Sequence, residues 1–153
     1  MPRLIHALLA LLLLPFGAFA GGTAGDDYIT NADEIVKAAD WGNMKTITVE
    51  IEEHLYTPEN IQLEAGQPYK LELKNIGEEK HYFTAPAFYK SIATRKVQSR
   101  DGEVKAPYFK ALEVLVGGQL DLYFVPVLTG EFPVYCTIDD HREKGMEGTL
   151  VVR

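Results

Sequence analysis

The chain has 153 residues, 24% of them charged, with 15 Lys and Arg against 22 Asp and Glu for a net charge of -7. That length suits one domain with a substantial core, and the acidic balance disfavours a nucleic-acid partner, whose phosphates need basic neutralisation. With a single Cys in the whole chain no internal disulfide is possible.

Residues 1–20 read as a secretory signal peptide. Met1-Pro2-Arg3 precedes an apolar run from Leu4 to Leu14, and Ala18-Phe19-Ala20 fits the small-x-small cleavage rule. The run is too short for a membrane span, and no Cys stands directly after the cleavage site to carry a lipid. Cleavage after Ala20 removes Arg3 and no acid, leaving 14 basic and 22 acidic side chains, a net of -8. The expected compartment is the periplasm, and no second long apolar run follows.

Residues 21–45 form an N-terminal extension. Gly21 to Asp27 is a Gly-rich, acidic leader. Asn31 can cap a short helix in the stretch Ala32 to Gly42, with Glu34 three residues on and Gly42 to end the turn. Ile35, Val36, Ala39 and Trp41 would dock that helix on the main body.

From Thr46 the period changes to two. Ile47, Val49 and Ile51 alternate with polar residues, as in a half-buried strand. His54 to Pro58 breaks the run, and Glu59 to Leu63 resumes it. Tyr69, Leu71 and Leu73 mark the next strand, Asn75-Ile76-Gly77 turns, and His81-Tyr82-Phe83 follows. Pro86 to Pro107 has another texture: Phe88, Tyr89 and Ile92 lie among Lys90, Arg95, Lys96 and Arg100. It reads as a partly helical insertion over one end of the sheet. Its positive charge is either a solvated face or a site for an acidic partner. Ala111 to Val116 and Leu120 to Phe124 are strands. Pro133 cannot donate to a ladder, so the strand from Phe132 to Cys136 is irregular or has a free edge there. Short strands at regular spacing with Gly and Pro turns make the fold class all-β, a Greek-key β-sandwich with a short N-terminal helix.

The chemistry gathers in the last twenty residues. Cys136, His141 and Met146 follow one another at Cys-x4-His-x4-Met. A lone Cys is often only a small buried hydrophobe, but thiolate, imidazole and thioether on one loop are a copper donor set. Two His, a Cys and a distant Met hold blue copper. A second His is then needed from His54 or His81. His81 lies at the end of the sheet that can meet the final loop, whereas His54, among Glu52, Glu53 and Glu59, reads as a surface residue.

The segments Tyr56-x-Pro58-x-x-Ile61-x-Leu63-x-x-Gly66, Leu71-x-Leu73-x-Asn75-x-Gly77, His81-x-Phe83 and Gly130-x-Phe132 into Tyr135-Cys136-x4-His141-x4-Met146-x-Gly148 resemble the cupredoxins, the plastocyanin and azurin superfamily. The resemblance covers residues 46–153, with 86–107 as a variable insertion, and the ligand-loop spacing is similar to that of rusticyanin. It implies one type 1 copper ion, with His81, Cys136 and His141 as equatorial ligands and Met146 as the weak axial one. It also implies single-electron transport between protein partners, such as a c-type cytochrome or a terminal oxidase or reductase, and electrons leaving by the edge of His141. An enzyme is not expected. Copper delivery or resistance, and a redox subunit of a larger complex, are the alternative functions. Two features depart from the family pattern: Tyr82 stands where Asn or Ser often ties the two ligand loops, and Asp139, Asp140, Arg142, Glu143 and Lys144 surround His141 with charge.

Overall fold

The computed structural model describes residues 27–153. The signal peptide expected at 1–20 and most of the leader lie outside the described residues. A helix, α1 (Ala32–Ala38), and a 3-10 turn at Trp41–Asn43 lead into the first strand. Asn31 precedes α1 without a side-chain cap; Asp40 instead accepts from the N–H of Gly42 and caps the short turn. The strands are β1 (Lys45–Glu52), β2 (Leu55–Thr57), β3 (Asn60–Leu63), β4 (Tyr69–Asn75), β5 (His81–Thr84), β6 (Ile92–Ser99), β7 (Gly102–Val104), β8 (Ala111–Val114), β9 (Gln119–Pro126), β10 (Gly130–Tyr135) and β11 (Glu147–Val152), with α2 (Pro86–Lys90) between β5 and β6.

Two mixed sheets pack face to face. One has the order β2-β1-β4-β9-β6-β7, the other β3-β11-β10-β5-β8. The parallel pairs, β1 with β4 and β3 with β11, bring together strands that are not joined by a hairpin. Alternation decides which side chains meet between the sheets. Val49, Ile51, Leu71, Leu73, Leu122 and Phe124 from the first face Ile61, Leu63, Phe83, Val134, Leu150 and Val152 from the second, all buried. Each such apolar side chain contributes about 1.5–3 kcal/mol by leaving water.

The segment 86–107 is only partly the appended cover that its composition suggests. Its helical part is α2, whose Phe88 and Tyr89 are fully buried in the core. The rest is woven into the first sheet, where β6 lies between β9 and β7. Its positive charges are largely met nearby: Lys96 and Lys105 pair with Glu103, Arg100 with Asp101, and Arg95 lies over the Trp41 ring. These contacts favour the solvated-face reading. Ala93 and Val125 alternate with Ile92 and Phe124, so they point away from the core, and they are covered by Ile35 and Val36 of α1 with Ala39 and Trp41 just after it. Trp41 thus packs, as expected, and its indole N–H donates to the carbonyl of Val36.

Pro133 keeps its place opposite Thr149 in an unbroken β10–β11 ladder, while β10 pairs with β5 only at Tyr135 and Thr84. A missing donor in the interior of β10 is tolerated because the second ladder is this short.

Candidate metal centre

The strand ends at one pole of the sandwich carry the site. Asn75, the last residue of β4, closes the loop that leads to β5. Its amide donates to the carbonyls of Glu79 and Val114, and its Oδ1 accepts from the N–H of Gly77. The first residue after that loop is His81, which pairs with Val114 on β8 and is fully buried. Cys136 follows directly on β10. Its N–H donates to the carbonyl of Met146, and the N–H of Met146 donates to that of His141, so the loop from 136 to 146 is drawn closed by its own backbone. Gly145 turns the chain at a φ of 103°, in the region that favours glycine.

His81, Cys136 and His141 come together here. All three are buried, and one donor atom from each lies within 4.8 Å of the others. Sγ of Cys136 is 3.7 Å from Nδ1 of His141. Met146 is completely buried and joins Cys136 through the backbone.

Both imidazoles are held from behind by carboxylates. Nε2 of His81 is 3.2 Å from Oε1 of Glu53, and Nε2 of His141 is 3.1 Å from Oε2 of Glu79. Nδ1 of His81 is buried and has no partner in the protein. A buried polar atom left unpaired costs about 1–3 kcal/mol, and a metal ion removes that cost. The donor set therefore fits a soft or borderline cation: thiolate plus two imidazoles whose outer nitrogens are already engaged.

The electrostatics follow from this packing. The carboxyl of Glu53 is pulled down to about 2, chiefly by the backbone N–H of Glu79 and against the opposing effect of burial, with smaller help from its own backbone N–H, the His81 ring and the Glu78 N–H. Burial pushes the His81 imidazole below its ordinary value, against the opposing pull of Glu53. Burial thus favours the neutral form of this ring, the form that binds a metal.

His54 is not the surface residue that its acidic neighbours suggest. The tight β1–β2 turn, in which Glu52 pairs with Leu55, folds it over the pole. Its ring meets that of His141 edge-on at 4.5 Å between centroids, and its Nδ1 is buried without a partner. His141 is consequently only 4% exposed. The open imidazole edge implied by the resemblance is covered here by His54 and Glu79.

Sequence reading missed Glu53, Glu79 and His54 as parts of the site. The available signal was position: an acid and a His directly after β1, and an acidic pair in the turn before His81. Three of the charged loop residues are paired. Lys144 bonds Asp140, and Arg142 bonds Glu147 while stacking on Tyr135.

The cupredoxin-like domain family matches residues 31–152. The chain belongs to that family. No curated protein matches the sequence. Among solved structures, a multi-copper oxidase from Pseudomonas thermotolerans is 17% identical with a TM-score of 0.60, over 75% of this chain and 31% of that one. The McoA multicopper oxidase of Aquifex aeolicus is 11% identical with a TM-score of 0.56, over 74% and 30%. The reduced auracyanin of the photosynthetic bacterium Roseiflexus castenholzii is 17% identical with a TM-score of 0.47, over 75% of this chain and 98% of that one. The two oxidase likenesses show the shared cupredoxin fold; this chain spans less than a third of either protein.

Proposed function

We propose that this cupredoxin is a periplasmic single-electron carrier holding one type 1 copper ion. His81, Cys136 and His141 would be its main ligands and Met146 a weak fourth. The observation that carries this reading is the convergence of three buried donor atoms from two distant segments within 4.8 Å. Copper bound there supplies one-electron chemistry between Cu(I) and Cu(II). The protein's part is to keep the donors still and dry. The sandwich fixes β5 and β10, the closed loop fixes His141 and Met146, and carboxylates hold both rings from behind. Four protein donors leave no position for a substrate, so the chain is read as a carrier and not as an enzyme.

The acidic mature chain suits a partner with a basic docking face, such as a c-type cytochrome or a terminal oxidase or reductase. Electron transfer to it should slow as salt screens the attraction. The deciding experiment is the absorption and EPR spectrum of the copper-loaded protein, followed by voltammetry. The reading expects an intense thiolate-to-copper band, a reversible couple and loss of the band in Cys136→Ser. Copper that gives no such band, and passes quickly to a mild chelator, would instead mark a delivery protein.

A further inference from the structure

We propose that Glu53 is the positioning residue of this metal centre, fixing the tautomer and orientation of His81 from outside the ligand set. The inference rests on the site proposed above, but it concerns the protein before any metal arrives.

Three nitrogens converge on one carboxylate oxygen. Oε1 of Glu53 lies 2.8 Å from the N–H of Glu78, 2.7 Å from that of Glu79 and 3.2 Å from Nε2 of His81. Two of the three are backbone groups with no freedom to become acceptors. An anion there demands a proton on Nε2 of His81. The proton cannot then sit on Nδ1, and the buried, unpartnered Nδ1 is left as a lone pair. That is the form a metal ligand must have.

The seat is shaped for this side chain. A Cβ added at Gly77 would come within 2.5 Å of Glu53 Oε1 and 2.7 Å of its Oε2. Gly77 is also tied to Asn75, whose side chain holds the loop. Glu53 reaches the second histidine as well: it binds the backbone of Glu79, and the Glu79 side chain lies on Nε2 of His141. One carboxylate on the β1–β2 turn therefore organises the loop behind both rings.

The test uses Glu53→Ala and Glu53→Gln in the whole mature chain. Ring nitrogens of His81 are read by nitrogen–proton correlation NMR in the metal-free protein, and Cu(I) affinity by competition with a chelator of known strength. Wild type should show Nε2–H alone. Glu53→Ala should show both tautomers and bind Cu(I) about 10- to 100-fold more weakly, the usual cost of losing such an outer partner. Glu53→Gln keeps an acceptor and should restore most of both. Should Glu53→Ala fail to fold, Gly77→Ala displaces the same carboxylate and is judged by the same two readings. A His81 that stays wholly Nε2–H, with Cu(I) affinity within twofold of wild type, overturns the proposal. If wild type bound no copper at all, the electron-carrier reading would fail, while the tautomer would still decide the role of Glu53.

Discussion

The backbone N–H of Tyr82 points at Sγ of Cys136 from 3.4 Å, joining the residue after one candidate ligand to the sulfur of another. Tyr82 stands where related chains often use an Asn or Ser side chain to tie the two ligand loops. Here the main chain takes that part, and Thr84 and Thr137 approach to 3.5 Å two residues further along. The same residue is held from its carbonyl side. The hydroxyl of Tyr56, a side chain 1% exposed, donates to the Tyr82 carbonyl. Tyr56→Phe would remove that donor and keep the ring, which packs edge-on against Phe83. We expect a loss of about 1–2 kcal/mol in urea unfolding of the metal-free protein. A shift of the copper-loaded absorption band should accompany it, because the Tyr82 N–H aimed at the thiolate loses its anchor. Unchanged stability would show that the hydroxyl is not needed there.

How far the sequence could be read depends on which contacts are local. Period-two alternation at Ile47, Val49 and Ile51, or at Tyr69, Leu71 and Leu73, reports a buried face directly, so the sandwich was legible. So was the loop from Cys136 to Met146, whose donors are close in sequence. His81 could be placed because it follows the Leu71 and Leu73 strand and its turn, at the end of the sheet that meets that loop. Glu53, His54 and Glu79 could not be. Each acts across a turn on a residue far away in the chain, and an acidic run at the surface gives no hint that one member reaches a buried histidine. Strand β6 was hidden for a different reason: exposed Arg95, half-buried Lys96 and Arg100 just past its end mask Ile92 and Val97.

Gly148 tests how tightly the pole is built. A Cβ there would meet the carbonyl oxygen of Glu59 at 2.1 Å, a contact with backbone that cannot rotate away. The neighbouring Thr149 N–H already donates to that carbonyl at 2.8 Å. Gly148→Ala must therefore push β3 and β11 apart. We expect a cost of about 3 kcal/mol, at the upper end for overpacking, seen as a lower midpoint in thermal or denaturant unfolding. Gly102→Ala, where nothing lies within 4 Å of the new Cβ, is the control and should change little.

Away from the metal centre, Glu72 sets a pH dependence. It lies on β4 between Lys70 and Lys74 and accepts from Thr48 across on β1. Lys70 first, then Thr48 and Lys74, hold its carboxyl down to about 2 from an ordinary 4.5. The folded value lies below the unfolded one, so the stabilisation is complete above pH 4.5 and is lost as pH falls through 2. With solvent nearby, we expect it to be worth about 1–2 kcal/mol. Asp121 stands directly opposite Glu72 on β9, so the lysines also offset a like-charge pair. Glu72→Gln should lower stability at neutral pH and flatten the acid limb of a stability-against-pH curve. A limb of unchanged steepness would assign the acid sensitivity to other groups.

His54 is the residue that separates this site from one with an open imidazole edge. Its ring lies against that of His141 at 4.5 Å, and His141 is left 4% exposed. Electron transfer falls steeply with distance, so a cover one ring thick should slow exchange with a partner and limit access by small molecules. His54→Ala removes the cover and takes no donor from the candidate ligand set. We expect faster electron self-exchange, read by NMR line broadening in mixed oxidation states, and faster copper removal by an external chelator. Stability should fall by about 1 kcal/mol or less, since only a half-buried ring is lost. His54→Phe restores a ring of similar size with no nitrogen and should return both rates toward wild type if shielding is the cause. If His54→Phe instead behaves like His54→Ala, the imidazole nitrogens of His54 matter and its buried Nδ1 takes part in the site.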